Sequence, residues 1–232
     1  MTNLPTIYAV AFIATAFFVS MILTRIFISV GPLLGVMDKL EERRVHAKPV
    51  PRAGGLAIWI GFTIVLWVVD ATFPNLFVGH HSTKNIAWTI SSVILILIGL
   101  IDDRTGLKPL VKLAGQAIAA ALFYYIYYTE GFSIAGFEVP YAAGLVIFVI
   151  WCVALINAFN LIDGLDGLCG GLVIVSLSMI LAIAWSNGNW RDSAFIIVMI
   201  GAVAGFLVYN FNPARIFLGD AGSMMLGFFI AS

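Results

Sequence analysis

The chain has 232 residues, of which 62% are hydrophobic and only 10% charged, with a mean hydropathy of +1.05. A water-soluble exterior needs more polar cover than that, so the composition excludes a soluble enzyme, a nucleic-acid-binding module and a disordered chain, and leaves a polytopic membrane protein. Formal net charge is zero, 12 basic residues against 12 acidic, so only the location of the charges can point to partners.

A helix needs roughly 20 apolar residues to cross about 30 Å of hydrocarbon. Eight apolar runs follow one another: Pro5–Val30, Leu56–Phe73, Ile86–Ile101, Leu113–Tyr128, Tyr141–Leu161, Leu168–Trp185, Ser193–Tyr209 and Ser223 to the end. They are too long for membrane strands and do not alternate as strands would. The expected fold is an all-α, polytopic transmembrane bundle of about eight spans, one membrane-embedded domain over residues 1–232. The last run stops at Ser232 after about ten residues, half a span, so the domain is expected to be incomplete at its C-terminus. No cleavable signal peptide is evident, because the first run is long, has no basic leader and is followed by further apolar runs.

Alternate connections sort the charges. One set, Gly31–Gly55, Asp102–Lys112, Ile162–Gly167 and Asn210–Gly222, carries Lys39, Arg43, Arg44, Lys48, Arg52, Arg104, Lys108, Lys112 and Arg215. The other set carries Lys84 and Arg191. By the positive-inside rule the first set is cytoplasmic and the N-terminus lies outside. In the outer set, Thr129–Pro140 alternates around Gly136 and reads as a small hairpin. His80 and His81 read as a solvated loop after the second span, since no Cys, Asp or Glu accompanies them. Cys152 and Cys169 lie in or beside apolar runs and read as reduced, buried thiols rather than a disulfide or metal pair. Gly201 and Gly205 have the small-xxx-small spacing of a helix-packing face.

Eight of the twelve acids, Asp38, Glu41, Glu42, Asp102, Asp103, Asp163, Asp166 and Asp220, fall in the basic set of connections. Carboxylates beside a membrane are costly unless solvated or bound. Asp102 and Asp103 close the third span, where the helix dipole disfavours them. They read either as a solvated end eased by Arg104 or as a paired-carboxylate site for Mg²⁺ or proton transfer. Asn157, Asn160, Asp163 and Asp166 recur every three residues, which on a helix stacks them on one face. Capping of the sixth helix would explain one aspartate but not four polar residues in register. Asp220, between Gly219 and Gly222, reads as a cap of the eighth helix or as a ligand-facing carboxylate where backbone can approach closely. Phe217 offers either packing or a stacking face. Lys48 and Arg52, in a loop shaped by prolines and glycines, are candidate phosphate ligands. Acids and amides ringed by bases at a membrane surface are the composition of a Mg²⁺ site for a phosphorylated substrate, one of whose partners is a lipid.

Four segments together carry a family resemblance: His46–Gly55, Gly99-Leu-Ile-Asp-Asp103, Asn157 through Leu168 with its Asn-x-x-Asn-x-x-Asp-Gly-x-Asp-Gly-Leu pattern, and Phe217–Ser223. In this order they resemble the polyprenyl-phosphate N-acetylhexosamine-1-phosphate transferases, the glycosyltransferase-four-like family that includes phospho-N-acetylmuramoyl-pentapeptide transferase. The resemblance implies transfer of sugar 1-phosphate from a UDP-N-acetylhexosamine to undecaprenyl phosphate, giving a lipid pyrophosphoryl sugar and UMP. It implies a Mg²⁺ cofactor (Mn²⁺ as a substitute) ligated by Asp220. It implies catalytic roles for Asp102, Asp103 and Asp163, with Asp102 deprotonating the lipid phosphate or, in a two-step course, attacking the pyrophosphate; direct attack by the lipid phosphate is preferred, since its oxygen is a competent nucleophile once ionised. Lys48, Asn160, Asp166, Asn210, Phe217 and Gly219 match substrate-binding positions. The segment Asp102–Lys112 resembles the N-acetylglucosamine branch, so UDP-N-acetylglucosamine is the expected donor, for an envelope glycan such as O-antigen or teichoic acid. The implied setting is a bacterial plasma membrane with the site on its cytoplasmic face, and a homodimer fits the family. The family's later histidine-rich motif is absent from the 232 residues.

The rival classes are an ion-coupled transporter and a membrane scaffold. A transporter expects acids near mid-span, whereas these lie at span ends. A scaffold gives no reason for four polar clusters on one side.

Overall fold

The computed structural model describes residues 6–33, 35–38, 49–73, 80–129, 131–134 and 137–232, with the side chains of 80–82 and 132–134 outside that description. Lys48 and the rest of 39–48 therefore lie outside the described residues. Eight helices are described: α1 (Thr6–Val30), α2 (Gly54–Thr72), α3 (His80–Thr105), α4 (Pro109–Tyr127), α5 (Tyr141–Ile162), α6 (Leu168–Ser186), α7 (Trp190–Asn210) and α8 (Gly219–Ala231). The first seven are long and apolar enough to cross a membrane, and α8 is shorter. The all-α bundle is as the composition requires, because in lipid a helix satisfies its own backbone. Between α4 and α5, β1 (Phe132–Ile134) and β2 (Phe137–Val139) pair antiparallel, Phe132 opposite Val139, as the weak alternation there foretold.

α7 and α8 form the centre. In α7, 78% of the apolar window is buried, against 17% in α1 and 22% in α5 and α6. Those outer helices turn Val10, Phe18, Ile150, Val175 and Ile183 outward, the surface a lipid-facing helix requires. Lipid supplies no hydrophobic drive between helices, so close packing must do it. Gly201 and Gly205 of α7 meet the α1 backbone: a Cβ on Gly201 would strike Ile13 O, and one on Gly205 would lie 2.9 Å from Met21 N. At the opposite end from the acids, Phe62, Trp88, Phe195 and Phe229 lock α2, α3, α7 and α8, with the Phe195 and Phe229 rings stacked at 4.8 Å. Cys152 and Cys169 are free and buried.

Several boundaries differ from the sequence reading, each for a local reason. Of residues 102–112, only 106–108 lie outside helices. α3 runs on through Asp102 and Asp103 to Thr105, and ends where Gly106 takes a left-handed φ of +70° and its N–H bonds Asp102 O at 2.9 Å. Pro109 then opens α4, so Lys112 stands in that helix's first turn. His80 and His81 belong, by backbone, to the first turn of α3 rather than to a loop. α5 ends at Ile162, so Asp163 and Asp166 leave the helical face that carries Asn157 and Asn160. Neither aspartate caps α6, whose cap is Gly167 at φ +74°. α8 starts at Gly219 rather than Ser223, and Asp220 lies inside its first turn, not at its cap.

Candidate functional site

The acid-bearing ends of α3, α5 and α8 and the start of α4 meet at one end of the bundle. Their meeting depends on α8 lying against α2 and α3. A Cβ on Gly55 would strike Gly222, and one on Gly99 would strike Ala221, so the three backbones come as close as glycine allows. The chain before α2 adds a third wall. Pro51 O accepts from Phe217 N at 2.8 Å, and Gly54 N returns a bond to Phe217 O at 3.0 Å. A short ladder, Met37 opposite Pro51, with Asp38 N bonded to Val50 O at 2.9 Å, anchors this strap.

Lys112 occupies the middle. Its Nζ lies 2.6 Å from Asp102 Oδ2, 2.7 Å from Asp220 Oδ2 and 3.2 Å from Asn160 Oδ1. Those oxygens come from α3, α8 and α5, so one ammonium on α4 joins four helices. Asn160 Nδ2 also donates to Asp220 Oδ1 at 3.0 Å and to Ser223 Oγ at 2.8 Å, which fixes its amide. Asp102 Oδ1 accepts from Leu107 N at 2.6 Å. Both oxygens of Asp102 are thus engaged.

Asp103, one residue on, points the other way. Its side chain has 0% exposure. Oδ1 lies 3.3 Å from Arg52 Nη1, and Oδ2 accepts from Asp220 N at 3.0 Å. A carboxylate from α3 therefore caps α8, whose own cap, Leu218, supplies no side-chain acceptor. Arg52 also grips Asp38, Nη2 to Oδ1 at 2.9 Å. Gly219 makes the crowding possible: it has a φ of +76°, and a Cβ there would sit 2.6 Å from Arg52 O and 2.8 Å from Asp103 Oδ2.

Asp163 follows α5 and lies beyond its membrane-spanning segment. Among the described residues, no hydrogen bond or ion pair reaches its carboxyl group. Burial, then the negative charges of Asp220 and Asp103, push it up to about 7, with Arg52 opposing. Its proton equilibrium is thereby moved from the ordinary carboxylate range toward neutral pH.

The remaining sequence candidates sit around this centre in different states. Asp166 Oδ2 accepts from Ala214 N at 3.0 Å and from Asn212 Nδ2 at 3.1 Å, and so organises the connection between α7 and α8. Asn210 is buried, its Oδ1 accepting from Gly167 N at 3.0 Å and its Nδ2 donating to Ile216 O at 2.9 Å. Phe217 is half-buried. Lys112 and Ser223 were not singled out from sequence. A lysine in the first turn of a helix is disfavoured by the dipole, and that oddity was the available signal.

The donor set suits a hard divalent cation. Asp102, Asp220 and Asn160 present oxygens to one cationic centre, now the Lys112 ammonium. Among the described residues no three His, Cys, Asp or Glu side chains form a metal cage. Two carboxylates and an amide match Mg²⁺, which binds through one or two carboxylates and takes its other ligands from water and substrate phosphates.

Comparison with known proteins follows the same lines. The family model "Glycosyl transferase family 4" matches residues 85–232. The chain is 36% identical over 231 residues to the "Probable undecaprenyl-phosphate N-acetylglucosaminyl 1-phosphate transferase" of Bacillus subtilis (strain 168), covering 94% of this chain and 61% of that protein. It is 34% identical over 216 residues to the "Decaprenyl-phosphate N-acetylglucosaminephosphotransferase" of Mycobacterium tuberculosis (strain ATCC 25618 / H37Rv), covering 86% and 53%. It is 32% identical over 239 residues to the "Phospho-N-acetylmuramoyl-pentapeptide-transferase" of Geobacillus thermodenitrificans (strain NG80-2), covering 94% and 72%. The chain thus spans a little over half the length of the first two relatives.

Proposed function

The chain belongs to glycosyl transferase family 4, and from that membership and the site chemistry we propose that it transfers N-acetylglucosamine 1-phosphate from its UDP-sugar to undecaprenyl phosphate. The products are an undecaprenyl pyrophosphoryl sugar and UMP. The observation that carries the proposal is the convergence of Asp102, Asn160 and Asp220 on one cation, beside an Asp163 that has no hydrogen-bond partner among the described residues. The names of relatives that act on polyprenyl phosphates support the lipid acceptor.

Phosphoryl transfer needs positioning and charge neutralisation more than covalent help from protein. An oxygen of the lipid phosphate attacks the sugar-bearing phosphorus, a new P–O bond forms, and the bond to the UMP oxygen breaks. Mg²⁺, held by Asp102, Asp220 and Asn160, would neutralise pyrophosphate charge. Asp163 takes the proton from the lipid phosphate. Asp102, the residue first expected in that role, has both oxygens engaged by Lys112 and Leu107 N–H. Asp103 positions Asp220 through the α8 N-terminus instead of meeting substrate. The basic residues around this end orient it toward the cytoplasm, in a plasma membrane.

The test is UMP release by the purified protein in detergent with undecaprenyl phosphate, Mg²⁺ and labelled UDP-N-acetylglucosamine. Release that stops with a chelator and returns with Mg²⁺ is expected. Absence of UMP with every UDP-sugar overturns the transferase reading. Release only with UDP-N-acetylmuramoyl-pentapeptide assigns the donor to the other branch, for which the Geobacillus relative speaks.

A further inference from the structure

The position of Lys112 has a consequence beyond charge balance. An ammonium has three N–H donors, and all three are accounted for by oxygens at 2.6, 2.7 and 3.2 Å. The two carboxylate oxygens touching one Nζ can be no more than the sum of their two distances apart. Oxygens gathered this closely on one cation are the type of donor set that Mg²⁺ would take. A divalent cation held by the same Asp102 and Asp220 oxygens would compete with the Lys112 ammonium for them.

We propose that Lys112 holds the divalent cation's place in the free protein, and yields it when the metal arrives with a pyrophosphate-bearing ligand. The inference rests on the transferase reading for the identity of that ligand. Without Lys112, Asp102 and Asp220 would face each other uncompensated at the junction of four helices, a cost that like charges in a half-buried site make large. With it, the junction is assembled before substrate binds. The same ammonium must be expelled for a divalent ion alone to enter, so free metal binds weakly. A pyrophosphate changes the balance twice. It supplies further metal ligands, and it offers the displaced ammonium new oxygens. The Lys112 side chain is 16% exposed, so it is not sealed from solvent. The carboxylates would exchange a monovalent for a divalent cation, and the negative charges of the arriving pyrophosphate would offset the added positive charge and take up the displaced ammonium.

The experiment measures binding rather than turnover. Mn²⁺ affinity, read by electron paramagnetic resonance without nucleotide, is compared in the wild type, Lys112→Met and Lys112→Arg. Lys112→Met is expected to bind Mn²⁺ at least tenfold more tightly than wild type, and Lys112→Arg to stay near wild type. Equal or weaker binding by Lys112→Met overturns the proposal. Should Lys112→Met fail to fold, the wild type decides by amine acylation followed by mass spectrometry, with Lys84 and Lys108 as internal references. Labelling of Lys112 is expected to rise with saturating Mn²⁺ and to fall again when UDP is added. Unchanged labelling with Mn²⁺ overturns the proposal. UMP release is scored separately, so a transferase without cation exchange, or exchange without transfer, is recognised as such.

Discussion

Asp163 and Asp103 show how two nearby carboxyl groups are given different work. Asp163 has no hydrogen-bond partner among the described residues and is pushed up to about 7 by burial and by Asp220 and Asp103. Its unfolded value is 3.8. The folded state therefore keeps a proton that the unfolded chain gives up between those values, and stability falls as pH rises through that window. Asp163→Asn removes the penalty: its thermal midpoint relative to wild type is expected to be higher at pH 8 than at pH 5. In UMP release the same variant is expected to lose about 10²–10⁴-fold, the usual worth of a general base. Wild type should gain rate up to about pH 7. A variant that keeps the wild-type rate places the proton elsewhere. Asp103 is a different case, since its oxygens hold Arg52 and the α8 N-terminus. Asp103→Asn keeps an acceptor for Asp220 N–H, whereas Asp103→Leu loses cap and ion pair together. Thermal unfolding should rank wild type above Asn above Leu, with loss of the cap alone worth about 1 kcal/mol.

At the level of elements, the sensitive point is the turn into α8. Gly219 combines a φ of +76° with a neighbour 2.6 Å from any Cβ. Gly219→Ala is expected to cost more than about 1 kcal/mol, from strain and from pushing Arg52 away, and to lower the thermal midpoint. A wild-type midpoint would mean that the strap yields freely. Most helices were legible in the sequence because their apolar runs are long and end at glycine or proline. α7 and α5, for instance, differ from the sequence reading by only a few residues. The helix ends at the site were not. The apolar run stops at Ile101, which puts Asp102 and Asp103 at the close of the third span, where the dipole disfavours them, yet α3 runs on past both because Lys112 and Arg52, from other elements, offset that cost. The three-residue rhythm from Asn157 to Asp166 suggested one helical face, and it fails at Ile162, where a turn sends Asp166 to the α7–α8 connection. Lys112 was hidden for a related reason. Its partner Asp220 lies 108 residues away in sequence, and no local pattern encodes that pairing.

For the whole molecule, orientation is the property most open to test. The native thiols are both buried, so a single introduced cysteine reports its own side. Thr105→Cys lies at the exposed end of α3 beside the site, and Asn187→Cys on the exposed connection after α6. In intact cells an impermeant maleimide is expected to label Asn187→Cys alone, and Thr105→Cys only after the membrane is opened. The reverse pattern would turn the protein over and place its site outside.

The central position of α8 bears also on the order in which the protein is made. α8 packs between α2, α3 and α5, yet it leaves the ribosome after all of them. Until it arrives, Asp103 lacks the helix terminus it caps, Lys112 lacks one of its two carboxylates, and Gly55 and Gly99 face an empty slot. The earlier helices can cross the membrane one by one, since each satisfies its own backbone. They cannot finish packing. This end of the bundle thus waits on the docking of α8, and no nascent chain gathers Asp102, Lys112, Asn160 and Asp220 before that helix has emerged.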